Sequence, residues 1–220
     1  MHRNIFSLTI YMLAFSFCGF TQDDSAGTGT IKLFIGIDNG ALALNKTLQD
    51  YGMDHQFDAG WFIGYGVSEA GFGKKRNGLD LVWYYGRSGF STNNRAYRNE
   101  NLSVQFGLQH DFLHHSRNSF FAGVGLAAKI TELRIDSFNT NLSLNTLTDA
   151  GIVADKSLML LPFSVEYLHR FRKHLVLGIR VQYDVGIFQS PWQIGRRSLT
   201  QQIDLYDLNC MRFAIGIGSR

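Results

Sequence analysis

The stretch LSVQFGLQHDF, residues 102–112, decides the fold. Leu102, Val104, Phe106, Leu108, His110 and Phe112 point one way along an extended chain, and Ser103, Gln105, Gly107, Gln109 and Asp111 point the other. An alternation of period two belongs to a strand with one apolar and one polar face. Residues 175–187 repeat it, with Leu175, Leu177, Ile179, Val181, Tyr183, Val185 and Ile187 against Val176, Gly178, Arg180, Gln182, Asp184 and Gly186. Both stretches are about the 9–11 residues that a tilted strand needs to cross a bilayer.

Working outward, six weaker copies bring the expected strands to an even number. They start at Ile31, Gly60, Leu79, Ala122, Leu161 and Met211. The links after the second, fourth and sixth strands are short, at residues 72–77, 114–118 and 171–174. The links at 39–58, 90–99, 136–156 and 189–206 are longer and polar. Short and long alternate, which is the asymmetry of a barrel with tight periplasmic turns and long extracellular loops. Leu44, Leu48 and Tyr51 share a side of a short helix or lid expected within 40–51.

Residues 1–22 read as a signal peptide, with Arg3 as the positive start and an apolar core from Ile5 to Phe17; residues 23–220 form the barrel domain. Cys18 is preceded by Phe17, a poor fit to a lipoprotein signal. With Cys18 removed only Cys210 remains, so no intrachain disulfide is expected. The 220 residues are 45% hydrophobic and 14% aromatic, with 23 Gly and 2 Pro. Mean hydropathy is near neutral, as expected where lipid-facing and lumen-facing residues alternate. The formal charge of +3 falls to about +2 once Arg3 leaves with the signal, too small to suggest nucleic acid.

Volume decides which face points where. An eight-strand interior only just fits side chains. Trp61, Tyr65, Trp83, Tyr85, Phe106, Phe163 and Tyr167 together would overfill it, so the bulky face is expected in lipid. The glycines opposite then leave room for charge. Trp61, Tyr84, Tyr85, Phe112, Phe120, Phe171 and Phe188 fall near strand ends, where aromatic girdles meet the bilayer surface. The alternative, a secreted soluble barrel with a lipophilic ligand, would reverse the faces.

The expected lumen holds a charge network of Lys32, Asp80, Lys129, Glu166, Arg180 and Asp184, with Asp38, Asp111 and Arg170 beside it. Glu166 and Arg180 fall on neighbouring strands, and Asp184 lies further toward the outside. Charges removed from water must pair, so the bland reading is an ion-pair plug and the sharper one a conduit. The short turns are basic, at Lys74, Lys75 and Arg76, at His114, His115 and Arg117, and at Arg172, Lys173 and His174. That suits either solubility or attraction to anionic headgroups. His114-His115-Ser116 invites a hydrolase reading, but adjacent residues of an extended turn point apart and no carboxylate sits at an obvious partner position. No catalytic residue, metal site or cofactor is expected.

The stretches 121–126 (FAGVGL) and 213–218 (FAIGIG) resemble strands of small outer-membrane β-barrel proteins, the porin-like or OmpX- and OmpW-like group. The likeness spans Ile31 to Gly218. It implies a Gram-negative outer-membrane location, contact with outer-membrane lipid and the barrel-assembly machinery, and no single activity. Members often end on an aromatic residue, whereas this sequence reads Gly218-Ser219-Arg220, so Phe213 is the nearest substitute. The reading is an all-β, closed, up-and-down barrel of about eight strands with a non-enzymatic structural or surface-binding role. An extracellular ligand is expected at loops 39–58, 136–156 and 189–206. A lipid-modifying enzyme and a narrow channel are the lesser alternatives.

Overall fold

A computed structural model describes residues 29–42, 44–45, 57–71, 76–91, 95–137, 152–172, 174–194, 197–198 and 209–219. The strands are β1 (Thr30–Asp38), β2 (Gly60–Ser68), β3 (Asn77–Ser91), β4 (Arg95–Asp111), β5 (Asn118–Ser137), β6 (Ile152–Arg170), β7 (Leu175–Gln189), β8 (Gln193–Ile194), β9 (Arg197–Ser198) and β10 (Cys210–Ser219). Consecutive strands from β1 to β7 pair antiparallel. β10 joins β7 to β1, so β1–β7 with β10 close an eight-strand cylinder. β8 and β9 extend the sheet beside the outer end of β6. Ile31 lies opposite Ser219, so the first and last strands meet at the short-turn end.

The faces are assigned by exposure. Ile35 is 65% exposed, Ile215 67% and Leu108 61%, whereas Lys32 is 1%, Glu166 2% and Arg180 2%. Apolar side chains therefore cover the outside and charges fill the axis. In water this arrangement would expose a belt far larger than the few hundred square ångströms a soluble monomer shows. In hydrocarbon it is the required one, because closure pairs the backbone and leaves no sheet edge. The soluble-barrel alternative fails on this reversal. Trp61, Phe112, Phe120, Phe171 and Phe188 are exposed near the two ends, with Tyr85 half-buried beside Trp61 at 6.3 Å between ring centroids.

Several expectations need correction. Tyr84 is not in a girdle; it points inward and is 3% exposed. The lumen is not merely glycine, amide and charge, since Phe34, Phe62, Val82, Tyr84 and Ala214 form a buried cluster within it. The inward glycines explain how aromatics fit. A Cβ at Gly64 would lie 2.6 Å from the Tyr84 ring, one at Gly36 2.8 Å from Phe62, and one at Gly216 3.0 Å from Phe34. These glycines make space for rings as well as for ions.

The link expected at 90–99 is instead a hairpin, with β3 running to Ser91 and β4 starting at Arg95. β5 and β6 run to Ser137 and from Ile152, so the long link between them begins later and ends sooner than expected. Above the lipid belt the outward face turns polar, at Arg87, Arg98, Glu100, Glu132 and Arg134, so the apolar-out alternation ends while backbone pairing continues. Pro162 interrupts the β5–β6 ladder, whose pairs skip from Val124↔Phe163 to Ala127↔Leu160, because proline has no N–H to donate. A bulge in β7 opposite Met159 and Leu160 turns both Ile187 and Phe188 outward. Leu42, Leu44 and Asn45 are helical, at the start of the expected lid; Leu48 and Tyr51 lie outside the described residues. The expected signal peptide, Lys74, Lys75, Lys173 and the centres of the long loops lie outside them too.

Candidate functional site

The lumen is filled in layers, each set by which inward positions of which strands share a height. At the short-turn end Ala70, Phe121, Leu168 and Val176 close the floor. Ser68 accepts a hydrogen bond from the Gln109 amide above them. Asp111 is fully buried in the same region. Its Oδ1 accepts the backbone N–H groups of Leu113 (3.2 Å), His114 (3.2 Å) and Phe120 (3.1 Å), which holds the turn whose His-His-Ser run invites a hydrolase reading. His115 Nδ1 accepts from the Arg117 backbone N–H at 3.2 Å, so this histidine too is engaged in turn structure.

Above the floor, β1, β3, β6 and β7 each send one charge to the axis. Lys32 Nζ lies 2.8 Å from Glu166 Oε2 and 3.7 Å from Asp80 Oδ1. Arg180 Nη1 lies 2.8 Å from Asp80 Oδ2 and 3.4 Å from Glu166 Oε2. Two cations and two carboxylates thus alternate around a closed circuit. All four are at most 3% exposed. The register sets Glu166 directly opposite Arg180 on adjacent strands, yet the shorter Arg180 contact reaches across the barrel to Asp80. The Phe34 ring packs beside the circuit, 5.6 Å from Lys32 Nζ and 5.8 Å from the Arg180 guanidinium carbon.

A second polar layer lies further toward the loops. Arg212 Nη1 is 2.9 Å from Asp184 Oδ2, and its Nε is 3.8 Å from Asp38 Oδ2. Gln182 donates to Asp184 at 2.6 Å, and Tyr84 donates to Gln182 at 3.2 Å. The Arg212 guanidinium stands 4.9 Å over the Tyr84 ring. Tyr84 therefore ties the upper layer to the apolar ring below it. Lys129 is inward and 5% exposed, but it stands apart from the lower circuit; Lys129 Nζ, Cys210 Sγ and Asp38 Oδ1 converge around Gly40.

Of the six residues expected in the network, Lys32, Asp80, Glu166 and Arg180 form one cluster. Asp184 belongs to the layer above, and Lys129 flanks that layer. Asp38, also expected in the lumen, pairs there, and Arg170 sits half-buried at the short-turn end. Arg212 was not expected, although the alternation of β10 places it between the outward Met211 and Phe213. Reading that strand to its first pleat would have found it.

The mouth differs in kind. Ala41, Leu44, Phe57, Tyr97 and Trp192 form a buried cluster with Phe90 and Leu133 against it. Phe90 stacks on Tyr97 at 4.5 Å, and Phe57 meets Phe90 edge-on at 5.0 Å. Asn45 clamps the first long link, donating to the Phe57 carbonyl at 2.9 Å and accepting its N–H at 2.6 Å. Lys156 is 1% exposed, lies 5.5 Å from the Trp192 ring centre and donates to Gln189. Burial brings its ammonium down to a pKa of about 8.

No protein-family model matches the chain, and no curated protein matches it. Solved structures do. A major outer membrane protein of Thermus thermophilus aligns with a TM-score of 0.52 at 10% identity, over 87% of this chain and 98% of that one. Neisserial surface protein A aligns at 0.48 and 10%, over 87% and 94%. Ail, the attachment invasion locus protein of Yersinia pestis, aligns at 0.45 and 12%, over 87% and 95%. Likeness at these identities speaks to fold alone. The chain has the fold of the small outer-membrane β-barrel proteins. Its inside-out closed cylinder is built to cross a bilayer, and the bacterial outer membrane is the bilayer that houses this fold.

Proposed function

We propose that this protein is a non-enzymatic outer-membrane barrel with a lumen closed to solutes, acting through the long-loop end it presents outside the cell. The observation that carries the reading is the Lys32–Asp80–Arg180–Glu166 circuit, whose contacts cross the axis from four strands. A second charged layer and an aromatic mouth lie above it. An eight-strand barrel has an interior just wide enough for its own side chains, and here they meet in the middle. Such a plug fixes strand register, because the buried charges lose their partners if one strand slips.

The loops within 39–58, 136–156 and 189–206 are the proposed contact region for an extracellular ligand or surface. Below them β3, β4, β5 and β6 continue past the lipid belt as a paired sheet, a stiff mount for those loops. Against a lipid-modifying enzyme stands the use of Asp111, whose buried carboxylate caps the turn carrying His114, His115 and Ser116.

Planar-bilayer recording of the refolded protein tests the closed lumen. The expected trace is silent. A steady open state with defined conductance would show that the circuit is a conduit wall and not a plug, and would return the narrow-channel reading.

A further inference from the structure

The short-turn rim contains the same construction twice. Arg76-Asn77 leads into β3 and Arg117-Asn118 leads into β5. In each, the arginine carbonyl accepts the backbone N–H that follows a histidine, from Asp111 to Arg76 and from Arg170 to Arg117, both at 2.7 Å. In each, that histidine's Nδ1 meets the asparagine Oδ1, at 2.5 Å for His110 and Asn77 and 2.7 Å for His169 and Asn118. A carboxamide oxygen only accepts, so Nδ1 donates and Nε2 is the ring nitrogen left over. Each corner thus ties an exposed arginine, through its backbone, to the strand that carries a histidine with one ring nitrogen left over.

The two corners differ on the lipid side. Next to the first is an open groove of about 420 Å³, lined by Asn77, Gly78, Leu108, His110, Ala122 and Val124. Ala122 is small where its row neighbours on the outward face are His110 and Val165, and this makes the dip. At the second corner the strand partner of His169 is the larger Leu177, and Tyr167, in the place Leu108 holds at the first, donates its hydroxyl to Asn118 at 3.1 Å. The rim around both is cationic. Arg76, Arg117 and Arg172 are exposed there, and Glu69 is the one exposed carboxylate among the described residues of the short turns.

We propose that the Arg76–Asn77–His110 corner and the groove beside it bind one anionic glycerophospholipid of the periplasmic leaflet. The phosphate lies against the Arg76 guanidinium and His110, and an acyl chain lies between Leu108 and Val124 over Ala122. Arginine, and histidine as the imidazolium with both ring nitrogens donating, supply charge-assisted bonds to phosphate, and a groove opening into hydrocarbon takes a chain, not water. The proposal rests on the membrane reading above.

Photo-cross-linking tests it, with phosphatidylglycerol carrying a diazirine in its acyl chain, on protein refolded in mixed micelles. Heat-modifiable migration of every variant is recorded first, so loss of the barrel is told apart from loss of the lipid. Labelling is expected to concentrate on β4 and β5 around Ala122. Arg76→Ala with His110→Ala should cut it at least about tenfold, since losing one charge-assisted bond already has that effect and this variant removes two. Ala122→Trp, or the milder Ala122→Leu, should cut it similarly by filling the groove. Arg117→Ala with His169→Ala should leave it within about twofold, since Leu177 and Tyr167 take up the space there that Ala122 leaves open at the first corner. Even labelling around the barrel, equal labelling by phosphatidylethanolamine, or full competition by inorganic phosphate alone would overturn the site. A wild-type chain with no heat-modifiable migration would sink the membrane reading itself, and the site with it.

Discussion

The middle of the lumen and its mouth solve opposite problems. At mid-barrel, surrounded by hydrocarbon, the interior is built from Lys32, Asp80, Glu166 and Arg180. At the mouth, surrounded by water, it is built from Leu44, Phe57, Tyr97 and Trp192. The mouth is an ordinary hydrophobic core and gains from burial as any soluble domain does. Mid-barrel has no such gain, because both the inside and the outside of the wall are out of water. What its charges supply is a penalty for misassembly, since among the described residues each finds its opposite charges within the circuit. The difference teaches that an inner face must be judged by what lies beyond the wall.

The comparison breaks most directly at Arg180. Arg180→Ala leaves Asp80 and Glu166 with only Lys32, and removing one partner of a buried ion pair costs about 3–5 kcal/mol. Urea unfolding of the refolded barrel should show that loss; a loss under about 1 kcal/mol would mean that water reaches the circuit. On the outside of the same wall, Ile35→Arg should cost about 2–4 kcal/mol in lipid, the penalty for a charge near the bilayer midplane. A neutral result there would reverse the assigned faces.

Two smaller effects sharpen the contrast. Lys32→Met combined with Glu166→Leu removes one charge of each sign. It should destabilise less than either single change, because a charge without its partner costs more than a missing pair. Phe57→Ala should loosen the mouth, seen as faster amide exchange around Asn45 and Tyr97, while shifting barrel unfolding by less than about 1 kcal/mol. The smallest is a pH effect at Lys156. Its folded pKa of about 8 lies below the ordinary value of 10.5. The opened mouth therefore binds the proton more tightly than the closed one. Closure should strengthen as pH rises from about 8 toward 10.5 and should not change with pH below about 8, where both states hold the proton. The difference between wild type and Lys156→Met in amide exchange near Trp192 reads it.

The alternation in residues 102–112 and 175–187 made the strands legible, and ring volume made their orientation legible. Neither reaches across the barrel. Glu166 and Arg180 are read as neighbours because adjacent strands share a register. Asp80 and Arg180 meet only through the stagger of the closed cylinder, which no single strand encodes. Arg212 was readable and was passed over. Tyr84 was misplaced because alternation was set aside for position: it is even-numbered in a strand whose outward residues, Leu81, Trp83 and Tyr85, are odd. The hairpin extensions above the lipid belt were illegible for a different reason, since there the outward face is polar and the inward face mixes Tyr97 and Leu133 with Asn99 and Thr131, so no apolar-out alternation marks the strand.

The contact between β1 and β10 carries a consequence for how the cylinder is made. Nine residues near one end of the chain must find ten near the other before either has a full set of neighbours. Until then two unsatisfied edges face a medium that offers them nothing. Such a topology discourages threading strands into lipid singly and favours a sheet that curls and seals in one concerted act.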